Sequence, residues 1–599
     1  MYMKKMNPSI QGEKNMELII KETGYTKEEA CKKEPVFKIE DGVLVDCNLN
    51  GSKIVTIPAD VKIIDKMCFI STDVKEVILP EGVESIEERA FSCCNKLRKI
   101  NFPETLNAIK ERAFYGCVSL AEVILPERLA EIGDYAFHCA GIKQLVLPKR
   151  AASTGINVFS SIKIESINIP ENFSLDIAMF AGCANLHTVN FEADQITIPE
   201  RCFCGCTNLT EIDINKALFI EDSAFLKCHS LSVNTIPAHT YVGVCAFSET
   251  DVTDVIIEDI SKISERAFAE CKHLKKLTIN VHVSVAGLSV PGGLACECKS
   301  LKTVTFTGHI ENLSSIKEAA FRGTMMLTEI NLPDNIRLIE KEAFHGSGIE
   351  SIHLPENLKQ IGIRAFMSSD LKSITVPDKT VKLGKSTFED CVHLTEATLP
   401  KSITTIPERV FINCVSLKTV NASNINVVCC GAFSNCVSLE AFDFSQVKEL
   451  GSRSFSDSGL HEVVFSNKPP KLQLSVFCNC KNLQQVDMSA CNKIETISAH
   501  CFANCSSLKD IKLPPNVHKF DDGCFTSVKL DKLVIKAGMR VNFHAFSETS
   551  INELEFIDDA GKSAKTVVDL YAFENAKVGR LIIPDHMYDR FKKVIAKMR

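Results

Sequence analysis

The sequence predicts an α/β repeat solenoid, with short β-strands stacked in one continuous sheet, short helical turns between them, and a small helical cap at each end. Three observations carry this prediction. A phenylalanine recurs at spacings of mostly 21 to 23 residues along nearly the whole chain. An apolar residue sits five positions before almost every one of these anchors, and a cysteine sits three positions after about half of them. Self-similarity at this period marks a supersecondary unit that cannot bury its apolar face alone and must stack.

The unit reads cleanly in Cys94 to Phe114, CNKLRKINFPETLNAIKERAF, and again in Cys117 to Phe137, CVSLAEVILPERLAEIGDYAF. Its first part, L-x-x-[IV]-x-[LIF], ends in period-2 alternation, as at Ile100-Asn101-Phe102, and predicts a short strand. A proline follows in many units (Pro80, Pro103, Pro126, Pro333, Pro355). Lacking an N–H, it ends the strand and turns the chain. The E-R-A-F segment then predicts one helical turn whose Phe points inward. Pro199 and Pro407 fall at the start of that turn, where a missing N–H costs little.

The anchors run from Phe69 to Phe268 and resume from Phe321 to Phe573. Between them the register falters. VHVSVAGLSVPGGLACEC, residues 281 to 298, carries glycines and valines, and Leu294 is expected to hold the missing rung. With it the array has about 23 units. Thr154 and Ser289 are then the two polar exceptions at the position five before the anchor. Three regions follow: a tail and capping helix over 1–36, a solenoid over 37–584 with an irregular break at 281–298, and an amphipathic capping helix over 585–599. The first cap is expected as a helix over 14–33, with Thr26-Lys27-Glu28-Glu29 as a capping box. In the last, Met587, Tyr588, Phe591, Val594, Ile595 and Met598 share one helical face.

Composition bounds the chemistry. The 599 residues carry a net charge of −7, so no global basic field draws nucleic acid or an anionic membrane. There are 35 Phe, 7 Tyr and no Trp, a bias toward rings without a polar handle and therefore toward packing. No run is long enough for a transmembrane helix, and no signal peptide is apparent.

Eleven of the 27 cysteines sit three residues after an anchor, among them Cys94, Cys117, Cys183, Cys206 and Cys436. Cys68, Cys202, Cys501 and Cys524 directly precede one. Both positions should face the interior, where free Cys behaves as a small hydrophobe. Such a ladder fits buried thiols in a reducing compartment. The densest cluster, Cys202, Cys204 and Cys206, could suggest a thiolate metal site, but no C-x-x-C pair or histidine accompanies it. No metalloprotease, nucleophile-elbow or dinucleotide motif is present.

The string LP-x-x-L-x-x-I-x-x-x-AF-x-x-C resembles the BspA-like subclass of leucine-rich repeats, over roughly Phe37 to Pro584. The opening FKIEDGVLVDCNLNGSKIVTIP is similar to the hairpin that starts such arrays, and Asp41-Gly42 is a favoured hairpin turn. The resemblance implies a leucine-rich-repeat solenoid that binds proteins. Members of the family are commonly surface or secreted proteins of bacteria, or proteins of parasitic protists.

The expected function is a non-enzymatic protein-binding scaffold: a cytoplasmic monomer with no cofactor and no metal, binding a protein partner but no nucleic acid. Two rival readings are a surface or secreted adhesin exported by an unrecognised route, and a metal-binding or enzymatic protein centred on Cys202–Cys206. The outward face of the sheet is the expected partner surface, with Asn101, Asn168, Asn190, Asp213, Asn331, His353, Asn421, Asp443 and Asp487 as candidates.

Overall fold

The computed structural model describes residues 34–149, 153–283, 285–466, 471–558, 561 and 565–598. The helix expected over 14–33 lies outside the described residues. The chain winds as a solenoid in which each turn contributes two short parallel strands. Glu76–Ile78 and Lys99–Ile100 pair in the first column, in the register Val77 to Ile100. Ser85–Ile86, Ala108–Ile109 and Glu131–Ile132 pair in the second. The expected single sheet is therefore two, and each is interrupted along its length, the longest run having seven strands. Many strands have only two residues, too few to bridge every rung. The apolar residue five before the anchor is the inward residue of the second strand: Ile86 and Ile109 are fully buried there.

The expected helical turn is instead a corner of tight turns. Arg112, two before Phe114, has φ 54°, and Gly116, two after it, has φ 70°. These left-handed residues turn every second N–H toward the next rung. Arg112, Phe114 and Gly116 donate to the carbonyls of Asp134, Ala136 and His138 at 2.7–2.9 Å. Ala113, Tyr115 and Cys117 close the turn locally at 3.1–3.2 Å. A helical turn would spend all these N–H groups within one rung and leave the stack unbonded at its corner. A non-glycine residue at positive φ costs about 1–3 kcal/mol, and the bonds to the next rung hold it there.

Inside, the anchors form a column of near-parallel rings. Phe69 and Phe91 have centroids 4.8 Å apart, and Phe180 and Phe203 are 5.9 Å apart. The column runs unbroken from Phe69 to Phe268 and from Phe321 to Phe573. Between them the anchor is Ala295, not Leu294. Phe268 N–H donates to Leu294 O, as Phe91 N–H donates to Ala113 O, which puts Leu294 in the position before the anchor. Gly293 (φ 60°) and Glu297 (φ 59°) then take the two left-handed positions. In this register Val290, fully buried, lies five before the anchor, and the Ser289 exception disappears. The corner ladder passes through this rung without a gap, from Arg266, Phe268 and Glu270 to Gly292, Leu294 and Cys296. The second column does lapse here: Ile263 bridges back to Val242, and the next strand begins only at Leu288. The additional residues lengthen the first strand to Lys276–Val281 and form the connection after it.

Each described end carries an element of its own. At the first, β1 (Val36–Glu40) and β2 (Val43–Asn48) form an antiparallel hairpin through Asp41 (φ 47°) and Gly42 (φ 81°), and β2 pairs with the first rung. At the other, α1 (Asp585–Ile595) buries Met587, Phe591 and Val594, with the Phe591 ring 5.7 Å from Phe556. Tyr588 departs from the expected apolar face and is half exposed.

Candidate binding surface

The interior positions carry no open chemistry. Cys94 Sγ donates to the carbonyl oxygen of Phe69 at 2.9 Å, and Cys117 to that of Phe91 at 3.1 Å. The same bond to the preceding anchor recurs at Cys183, Cys206, Cys228 and Cys271. It recurs again at Cys391, Cys414, Cys436, Cys480 and Cys505. Cys298, three after Ala295, joins the ladder at 3.0 Å from Phe268 O. Where the position holds another residue, Thr250, Thr324 and Ser369 direct a hydroxyl to the anchor carbonyl of their own rung. Burial pushes the Cys183 thiol up to about 12 and that of Cys117 well above its ordinary value. The Cys183 and Cys117 sulfurs are therefore held as protonated donors, and nucleophilic or metal chemistry needs the thiolate.

The Cys202–Cys206 cluster does not converge. Cys202 and Cys206 are fully buried, Cys206 bonded to Phe180 O, while Cys204 is half-buried. Among the described residues no group of three His, Cys, Asp or Glu side chains could hold a metal ion.

The outward candidates divide into two kinds. Seven are occupied by their own backbone or neighbours. The Asn101 amide clasps Leu79, accepting from its N–H at 2.7 Å and donating to its carbonyl at 2.8 Å. Asn190 donates to Asn168 at 3.0 Å, and Asn421 to Glu396 at 2.8 Å. Asp213, Asp443 and Asp487 each accept from the backbone N–H two residues on, at Asn215, Ser445 and Ser489. Hydrogen bonds from Ser489 and Lys512 hold the Asp487 carboxyl down at about 2. Asn331 and His353 are different. They stand exposed on adjacent rungs, with no side-chain hydrogen bond among the described residues. The spacing Asp-x-Asn/Ser, a local turn former, was the signal in the sequence for the occupied aspartates.

Part of this face is apolar, as the alternation of the strands leads one to expect. Ile54, Ile124 and Val146 are 60%, 55% and 53% exposed on first-column strands. Sequence reasoning missed a cleft of about 860 Å³ at the Ala295 rung, where Ser289, Pro291 and Gly292 leave room between Glu265, Lys317 and Glu340. Four of the charges lining this cleft are paired with one another, Lys317 with Glu340 at 2.9 Å and Lys341 with Glu318 at 2.6 Å.

Among the described residues no helix is long and apolar enough to cross a membrane. The sequence profile of the BspA type leucine rich repeat region matches residues 62–187, 157–275, 314–440, 426–552 and 475–593. No curated protein matches the chain. Solved structures similar to it include a leucine-rich repeat protein from Bacteroides ovatus, 18% identical over 88% of this chain and 98% of that one, with a TM-score of 0.26. A leucine rich cell surface protein from Faecalibacterium prausnitzii is 16% identical over 80% and 92%, with a TM-score of 0.23. The pneumococcal vaccine antigen PcpA is 17% identical over 72% and 90%, with a TM-score of 0.26.

Proposed function

We propose, from the premise that this chain belongs to the BspA-type leucine-rich-repeat family, that it is a non-enzymatic scaffold that binds a protein partner. One observation carries the reading. The repeated interior groups are committed to the neighbouring rung: rings to rings, thiols to anchor carbonyls, corner N–H groups to the next corner. What varies from rung to rung is the outward set, and a long face of varied side chains on a fixed frame suits recognition of a protein surface. Asn331 and His353, with the exposed Ile54, Ile124 and Val146, are the contacts this reading favours. The occupied residues, Asn101 among them, serve the frame first. The buried thiols fit a reducing, cytoplasmic setting, and the helix Asp585–Ile595 over the last rung fits a monomer.

The test is capture with the full chain from its native cell, followed by reconstitution of the complex from purified components. A stoichiometric complex that weakens when Asn331 and His353 are replaced, and not when Asn101 is, supports the reading. Sedimentation shows whether the free chain is a monomer. Failure of any captured protein to form a complex with the purified chain would remove the scaffold reading.

A further inference from the structure

The tenth and eleventh rungs, anchored by Phe268 and Ala295, hold five lysines in register. Lys302 N–H donates to Lys275 O at 2.8 Å, and Thr328 N–H to Lys302 O at 3.2 Å, so these three residues form one column. Lys276, Thr303 and Glu329 form the next. Three residues before the first column, at the same offset in each rung, stand Lys272, Lys299 and Met325. All five lysines are exposed, and among the described residues none lies in an ion pair. On an earlier rung Lys99, at the position of Lys276, is instead paired with Glu76 at 3.7 Å. Gathered on two adjacent rungs, the five lysines make a local excess of positive charge in a chain of net charge −7. Beside them, on the twelfth rung, Met325 and Met326 are 60% and 47% exposed.

We propose that this block is a docking patch for an acidic segment of a protein partner, one that also carries apolar side chains. The proposal rests on the scaffold reading and names the chemistry of the partner. Carboxylates would face Lys272, Lys275, Lys299 and Lys302, and an apolar side chain would lie on Met325 and Met326, whose flexible thioethers adapt to varied shapes. The patch is closed by acids on both sides: Asp251, 3.5 Å from His273, and Asp254 before it, Glu329 after it. A nucleic acid needs a longer basic stripe and aromatic platforms, so a short peptide segment fits better.

The probe is a fluorescein-labelled synthetic peptide of alternating glutamate and leucine, titrated with the full chain and followed by anisotropy. Binding should weaken about tenfold in the Lys275→Glu/Lys302→Glu variant, and about threefold in Met325→Ser/Met326→Ser. It should fall steeply as salt is raised, because exposed charges are screened within about 8–10 Å. Unchanged thermal melting of both variants would show that the frame is intact. Equal binding by wild type and charge-reversed chain overturns the proposal. So does stronger binding of a single-stranded oligonucleotide, or of phosphatidylserine vesicles, than of the peptide. If a captured protein partner binds the lysine variant undiminished, the patch fails while the scaffold reading stands.

Discussion

Cys117 donates its thiol hydrogen to the carbonyl oxygen of Phe91 across 3.1 Å, and that oxygen already accepts the backbone N–H of Cys94 at 3.2 Å. A side chain three residues after one anchor therefore satisfies the second lone pair of the anchor before it. The cysteine ladder is a hydrogen-bonding device as well as a filling.

Replacing Cys117 tests this. Cys117→Ala removes the donor and leaves a small void, and should cost about 1–2 kcal/mol. Cys117→Ser keeps a donor and should cost less, since the Thr549 hydroxyl serves the carbonyl of its preceding anchor, Phe525, at 2.6 Å. Urea denaturation compares the two. Equal losses would reduce the thiol to a space-filler.

The same thiols set an alkaline limit. Burial raises Cys183 from 9.0 to about 12 in the folded chain. Its contribution is fully present below pH 9 and is lost as pH rises toward 12, because the unfolded chain then gives up its proton first. Stability should therefore fall above pH 9, and Cys183→Ser should flatten the decline. A melting temperature independent of pH between 9 and 11 would refute this. Under denaturing, non-reducing conditions most of the 27 cysteines should titrate as free thiols.

The anchors and the outward face should respond very differently. Phe344 is fully buried between Phe321 and Phe366, with centroids 5.6 and 5.3 Å away. Phe344→Ala should cost about 3–5 kcal/mol, because rings fixed on both sides cannot close the cavity. Asn331→Ala, on the exposed face, should stay within about 0.5 kcal/mol. Hydrogen exchange at the neighbouring corners reads the local effect, and comparable losses would mean that the faces are misassigned.

The Ala295 rung is expected to be the first point of cleavage. It has no ring, its second column lapses, and Val285 in the preceding connection is 62% exposed. Solenoid stability is close to a sum over units and interfaces, so one poor unit opens without unfolding the rest. Limited proteolysis should cut within 281–298 before it cuts within 321–477, leaving two folded fragments. A first cut inside the later block would contradict this. The exchange Leu294→Ala/Ala295→Phe restores the usual order and should slow the cut, gaining about 1 kcal/mol.

The period was legible because Phe is bulky, repeated and always inward. The second strand column was not, since pairs such as Ser85-Ile86 are too short to show alternation. Nor were the left-handed corners: Arg89, Arg112 and Arg201 hold them where glycine or asparagine would be the usual sign. The slip to Leu294 followed from size, since a leucine resembles a phenylalanine more than an alanine does. Cys298 three positions after Ala295, and Val290 five before it, carried the true register. On the outward face, sequence could place Asn101 but not reveal that its amide faces the backbone of the rung before it.

One consequence of the ring column concerns distance. Because one corner bonds to the next by the same donors and acceptors throughout, a whole turn is interchangeable, and separations along the solenoid come in steps. Each step is one ring spacing, 4.8 Å at Phe69–Phe91 and 5.9 Å at Phe455–Phe477. The lysine block and the helix Asp585–Ile595 therefore lie a whole number of steps apart. Gain or loss of one complete turn between them would reset their span while leaving both surfaces intact. Loss of a single residue would instead carry a thiol away from its carbonyl. The protein is in this sense a graduated rule, with its markings on the inside.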